Sequence, residues 1–153
     1  MRIPIRFQLN GMARSVEVEP NDTLLEMLRD GLGIKSPKTG CDRGDCGSCT
    51  VLLNGRSVRS CLVLAAEADG CEILTLEGIS AHPTALQEEL ARHNSFQCGF
   101  CAPGLVLSAT ELLARNHHPT RAQIQEAIGG NLCRCTGYTP IVEAIEAAAG
   151  REP

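Results

Sequence analysis

The chain has 153 residues, a formal net charge of −4, 43% apolar residues, 3% aromatics and no tryptophan. That length allows one domain or two small ones, and an aliphatic core short of large rings calls for some additional staple. A negative balance without a basic stripe excludes general nucleic-acid binding, and the longest aliphatic run, 62–66, is far too short to span a membrane.

Neither an apolar leader segment nor a twin arginine precedes the first alternating pattern, so we expect no signal peptide and a cytoplasmic location. Alternation over Ile3–Leu9 and Met12–Val18 flanks Asn10-Gly11, a strong short signal for a two-residue hairpin. Thr23 and Glu26 then stand at capping-box spacing beside the apolar Leu24, Leu25, Met27 and Leu28, and Gly31 or Gly33 ends this short helix. Asn54-Gly55 marks a second hairpin between Thr50–Leu53 and 56–60, and 71–76 reads as a last strand. A small mixed sheet with one helix packed across it fits this order.

The period changes near 78–83. Helical patterns follow over 84–94, 103–116, Arg121–Ile128 and 140–149. Pro83 precedes the first, and Pro103 and Pro140 stand where first-position prolines belong. Thr120 with Gln123 makes a capping box. Four short helices with brief connections predict a compact bundle. The expected class is therefore α+β, with one unit over 1–78 and a helical unit over 79–153.

Nine cysteines in a reducing compartment are poor disulfide candidates and good metal ligands. Cys41, Cys46 and Cys49 have the plant-type C-x4-C-x2-C spacing of 2Fe–2S proteins, with Cys61 as the distant fourth. A loop wrapped around two irons needs close backbone approach, which Gly40, Gly44 and Gly47 permit. Its amides can point at the cluster sulfurs. The Asn54-Gly55 hairpin can return Cys61 beside that loop. A zinc site or inert thiols are the alternatives. The second group, Cys98-x2-Cys101 and Cys133-x-Cys135, lies just ahead of two predicted helices, whose N-termini favour an anionic centre. Its spacing alone leaves iron–sulfur, zinc and a C-x2-C redox pair open. No histidine falls in either group, which removes a Rieske arrangement.

Three segments carry a family resemblance. Cys41-Asp42-Arg43-Gly44-Asp45-Cys46-Gly47-Ser48-Cys49-Thr50-Val51 is similar to one cluster motif. Gln97-Cys98-Gly99-Phe100-Cys101-Ala102-Pro103-Gly104 and Gly130-Asn131-Leu132-Cys133-Arg134-Cys135-Thr136-Gly137-Tyr138 are similar to the second. In this order they resemble the small iron–sulfur subunit of the molybdenum hydroxylases, the xanthine oxidase and aldehyde oxidoreductase family, over roughly 3–149. The resemblance implies a ferredoxin-like β-grasp domain followed by a four-helix bundle, with a 2Fe–2S cluster in each. It implies that the Cys98/Cys101/Cys133/Cys135 cluster lies nearer molybdenum and the Cys41/Cys46/Cys49/Cys61 cluster faces a flavin. It also implies that Gln97 and Cys135 approach the pterin of the molybdenum cofactor. The partners would be a large molybdopterin-binding subunit and a medium FAD-binding subunit, in a heteromer that is open to dimerisation. The chain would then be the electron-transfer part of an oxidoreductase, with no substrate turnover of its own.

Two positions depart from the family pattern. Ala102 stands where threonine is common, which removes a candidate helix cap worth about 1 kcal/mol. Ser48 stands where alanine is frequent. Outside the motifs, Cys71 reads as a buried structural thiol, and His82, His93, His117 and His118 as solvated side chains. Asp42 and Asp45 read as exposed, with no acid–base role. No dinucleotide or nucleotide-phosphate fingerprint occurs. The rival readings are a free-standing two-cluster ferredoxin or redox sensor, and a zinc-stabilised interaction module.

Overall fold

Strand β1 (Ile3–Leu9) buries Ile5, Phe7 and Leu9 on one face, as its alternation requires. It turns at Asn10 and Gly11, whose φ of 52° and 79° suit a tight hairpin, into the antiparallel β2 (Met12–Val18). The computed structural model describes residues 1–79 and 82–151. After β2, helix α1 (Leu24–Glu26) starts on the expected capping box: the Thr23 hydroxyl accepts from Glu26 N at 3.2 Å, and the Glu26 carboxylate from Thr23 N at 2.8 Å. It runs into a wider helical turn, Met27–Gly31. Strands β3 (Thr50–Leu53), β4 (Arg56–Arg59) and β5 (Glu72–Leu74) complete a five-stranded sheet ordered β2-β1-β5-β3-β4. Among the described strand pairings only β1–β5 is parallel. Leu24, Met27 and Leu28 pack against the sheet residues Phe7, Val51 and Ile73 in one apolar core.

The last strand is shorter than the 71–76 expected. Thr75 leaves the ladder because Asn10 caps it: Thr75 N donates to Asn10 Oδ1 at 2.8 Å, and Asn10 Nδ2 to Thr75 Oγ1 at 2.9 Å. A one-turn helix that the sequence did not announce, α2 (Leu76–Ile79), follows directly. Short apolar runs do not separate strand from helix by period.

Helices α3 (Ala85–Arg92), α4 (Ala102–Arg115), α5 (Arg121–Ile128) and α6 (Thr139–Ala148) share a second core built on Leu90, Leu105, Val106, Ile124, Ile141 and Ile145. Thr120 and Gln123 form the expected capping box, and Thr84 with Gln87 forms another. Pro103 and Pro140 each sit at the second helical residue, one place deeper than expected, where a missing N–H is still harmless. The cap of α4 is Cys101 and Ala102 is already helical, so alanine at 102 removes no cap. Helix α4 also packs against β3 and β4, which joins the two cores. Among the described residues no helix is long and apolar enough to cross a membrane.

Candidate metal centres

The 41–49 loop is bent by positive φ at Asp42 (54°), Gly44 and Gly47. A Cβ at Gly40 would lie 2.7 Å from Cys46 Sγ, and one at Gly47 would strike Gly130 O, so glycine is required where this loop folds most tightly. The bends turn amides toward sulfur: Cys46 N donates to Cys41 Sγ at 3.4 Å and Ser48 N to Cys46 Sγ at 3.5 Å. Amides of Arg43 and then Cys46 hold the Cys41 thiol down at about 7, so it ionises readily. Cys61 follows β4 and meets Cys49, whose backbone oxygen is held by the Ser60 hydroxyl at 2.6 Å. Burial, then Cys49, pushes the Cys61 thiol up to about 11.

The second group assembles from two connections. Cys98 and Cys101 precede and cap α4, and Cys133 and Cys135 lie in the loop before α6. Tyr138 shapes that loop. Its own φ is 71°, its hydroxyl donates to Asn131 O at 3.0 Å, and it accepts from Cys133 N at 2.8 Å. Cys135 Sγ lies 3.9 Å from Cys98 Sγ. Burial, then the neighbouring Cys133, pushes Cys101 up to about 12. Burial also opposes ionisation of Cys133, but the Thr136 hydroxyl at 3.2 Å and the amides of 135 and 136 outweigh it and lower its pKa.

The cysteines thus close in pairs: Cys41 with Cys46, Cys49 with Cys61, Cys98 with Cys135, and Cys101 with Cys133. Among the described residues no three His, Cys, Asp or Glu side chains are placed to hold one metal ion. Two facing pairs of thiols with amides aimed at sulfur fit a cluster of two irons better than a single tetrahedral zinc.

The remaining sequence candidates separate cleanly. Gln97 is exposed, and its Nε2 donates to Cys135 O at 3.1 Å, so the two residues expected at a pterin are adjacent. Cys71 is half-buried, with its thiol near Glu67 O at 3.5 Å, and is less enclosed than the buried thiol expected because β5 begins only at Glu72. It joins neither group. Asp42, Asp45, His82, His117 and His118 are exposed; His93 is half-buried, with Nδ1 2.9 Å from Glu89 O.

The sequence did not announce the polar hub between the halves. Buried Asn131 donates to Gly47 O and Thr50 Oγ1, both at 3.2 Å, and accepts from Ser108 Oγ at 2.8 Å. Leu132 N donates to Cys46 O at 2.8 Å, which links the two cysteine loops through backbone. The position of Asn131 near Cys133 was a cue to its importance, but its partners Gly47 and Thr50 lie more than eighty residues away and Ser108 lies 23 away on another element.

Comparison with known proteins agrees with this geometry. Residues 7–75 match the 2Fe–2S iron–sulfur cluster binding domain family and 75–146 match the 2Fe–2S binding domain family. The nicotine 6-hydroxylase small subunit of Paenarthrobacter nicotinovorans is 48% identical, across 98% of this chain and 92% of its own length. The nicotinate dehydrogenase small FeS subunit of Eubacterium barkeri is 46% identical, across 98% and 97%. The crystal structure of quinoline 2-oxidoreductase from Pseudomonas putida 86 superposes with a TM-score of 0.93 at 45% identity, covering 97% of this chain and 94% of that one.

Proposed function

The chain belongs to the family of small iron–sulfur subunits of the molybdenum hydroxylases, and we propose that it carries electrons out of such a complex on eight of its nine cysteines. Cys41, Cys46, Cys49 and Cys61 hold one 2Fe–2S cluster; Cys98, Cys101, Cys133 and Cys135 hold the other. The four close cysteine pairs are the observation that carries this assignment. When bound, each cluster takes up and releases one electron, which suits the stepwise removal of the two electrons a substrate oxidation delivers.

The protein's own work is to ligate, to shield and to hydrogen-bond. The amides of Cys46 and Ser48 and the Thr136 hydroxyl would stabilise negative charge on the ligating sulfurs. Residues 1–78 form the ferredoxin-like β-grasp unit and 79–153 the four-helix unit. Gln97 and Cys135 face the pterin of a large molybdopterin subunit, while the Cys41 loop faces FAD on a medium subunit. The assembly is a cytoplasmic heteromer, open to dimerisation.

Iron and acid-labile sulfide assays should give about four of each per chain, with two distinct paramagnetic signals after reduction. Two irons and a single signal would sink the reading, and zinc in place of iron would replace it with a structural module.

A further inference from the structure

Arg59 ends β4, two residues before Cys61, and stands across the ladder from Thr50, which follows Cys49. Its guanidinium crosses from the sheet to the helical half. Nη1 donates to Thr50 Oγ1 at 3.0 Å and Nη2 to Gly130 O at 2.7 Å, three residues before Cys133. Gly130 admits it, because a Cβ there would collide with Nη2. Both acceptors are neutral. Among the described residues no carboxylate lies within ion-pairing distance of Arg59, and its Nε is buried without a partner.

A cation held partly out of water without a counter-ion is costly unless something nearby is negative. The groups on either side of this guanidinium along the chain are Cys49 and Cys61 on one hand and Cys133 on the other, and each set becomes anionic once it ligates iron. We infer that Arg59 is a counter-charge shared by both clusters: it raises the reduction potential of each and pins the sheet to the 130–133 loop. Reduction adds negative charge to a cluster, so a fixed cation favours the reduced form, and most strongly where water is excluded. The inference rests on the two-cluster reading above.

Redox titration of the purified, cluster-loaded complex, followed by paramagnetic resonance, tests it in Arg59→Met and Arg59→Lys. Arg59→Met should shift the reduction equilibrium of both clusters at least tenfold toward the oxidised form, about 59 mV for one electron. Arg59→Lys, which keeps the charge but not the fork, should retain most of the native potentials. Unchanged potentials in a fully loaded Arg59→Met overturn the inference, and so does a shift in one cluster only. Absence of two clusters from the native protein would instead overturn the earlier reading. Should Arg59→Met fail to load, Arg59→Gln against Arg59→Lys makes the same comparison, and equal potentials in those two overturn it.

Discussion

At Gly47 a single methyl group decides whether the two cysteine loops can meet. Its φ is +74°, and a Cβ would press on Gly130 O while also lying 2.8 Å from Asn131 Nδ2. Gly55 has a similar φ of +78° but nothing within 4 Å of its would-be Cβ. Comparing Gly47→Ala with Gly55→Ala therefore separates backbone strain from steric contact. Gly55→Ala should cost about 1 kcal/mol, the strain of the left-handed conformation alone. Gly47→Ala should cost about 3 kcal/mol or more and lower the iron content as well, since strain and overpacking add. Urea unfolding midpoints and iron assays on the two variants check this; equal losses would mean that the contact with 130–131 carries little. The same residue shows what sequence reading reaches. That Gly47 belongs to a tight cluster loop follows from its place between Cys46 and Cys49. That it seats against Gly130 does not, because the partner lies 83 positions away and nothing local encodes it.

Among the elements, β4 and α4 show how one carboxylate ties sheet to helix. Glu111 on α4 accepts from Ser57 N at 2.9 Å and sits 3.5 Å from both Arg56 and Arg115. Burial resists its ionisation, but the Ser57 bonds and then the two arginines outweigh it, and its pKa falls below the ordinary 4.5. A carboxyl depressed on folding stabilises the native state above its unfolded pKa and loses that contribution as pH falls through the folded value. Glu111→Gln should therefore destabilise the protein by about 1–2 kcal/mol at pH 7, and the gap to the native chain should narrow as pH drops below 4.5. Unfolding curves at several pH values read this directly, and a gap independent of pH would exclude the ionic contribution. Elements of this fold were legible where their cause is local. Asn-Gly turns, the Thr23 and Thr120 capping boxes and the first-turn prolines all act within a few residues, and hairpins and helices appear where they predict. Helix α2, the early end of β5 and the Asn131 hub depend on Asn10, Gly47 and Thr50 from distant segments, and no period records them.

For the whole molecule, the surface beside the Cys98 group is open in the single chain and mixes exposed apolar side chains with the exposed Arg134 and with Lys38, whose ammonium lies 5.3 Å from the Phe100 ring centroid. Phe100 is 45% and Leu132 55% exposed, each next to a proposed ligand, while Gln97 and Cys135 lie open beside them. Large apolar side chains flanking solvent-exposed thiols suit a face that another subunit covers. Electron transfer from a pterin would also need a short, fixed approach at this end. Expressed alone, the chain should be coloured, redox-active and inert toward aldehydes and N-heterocycles. Adding the large subunit should slow amide hydrogen exchange over 97–100 and 132–135 more than around the Asn10-Gly11 hairpin. Gln97→Ala should slow reduction of the clusters by substrate in the assembled complex while leaving their absorption nearly unchanged, because it removes the amide proposed to face the pterin and no proposed ligand. Its bond to Cys135 O contributes about 1 kcal/mol to the loop, so a small loss of stability accompanies the change. Exchange protection confined to the sheet half, or native reduction rates in Gln97→Ala, would move the docking face away from the helices.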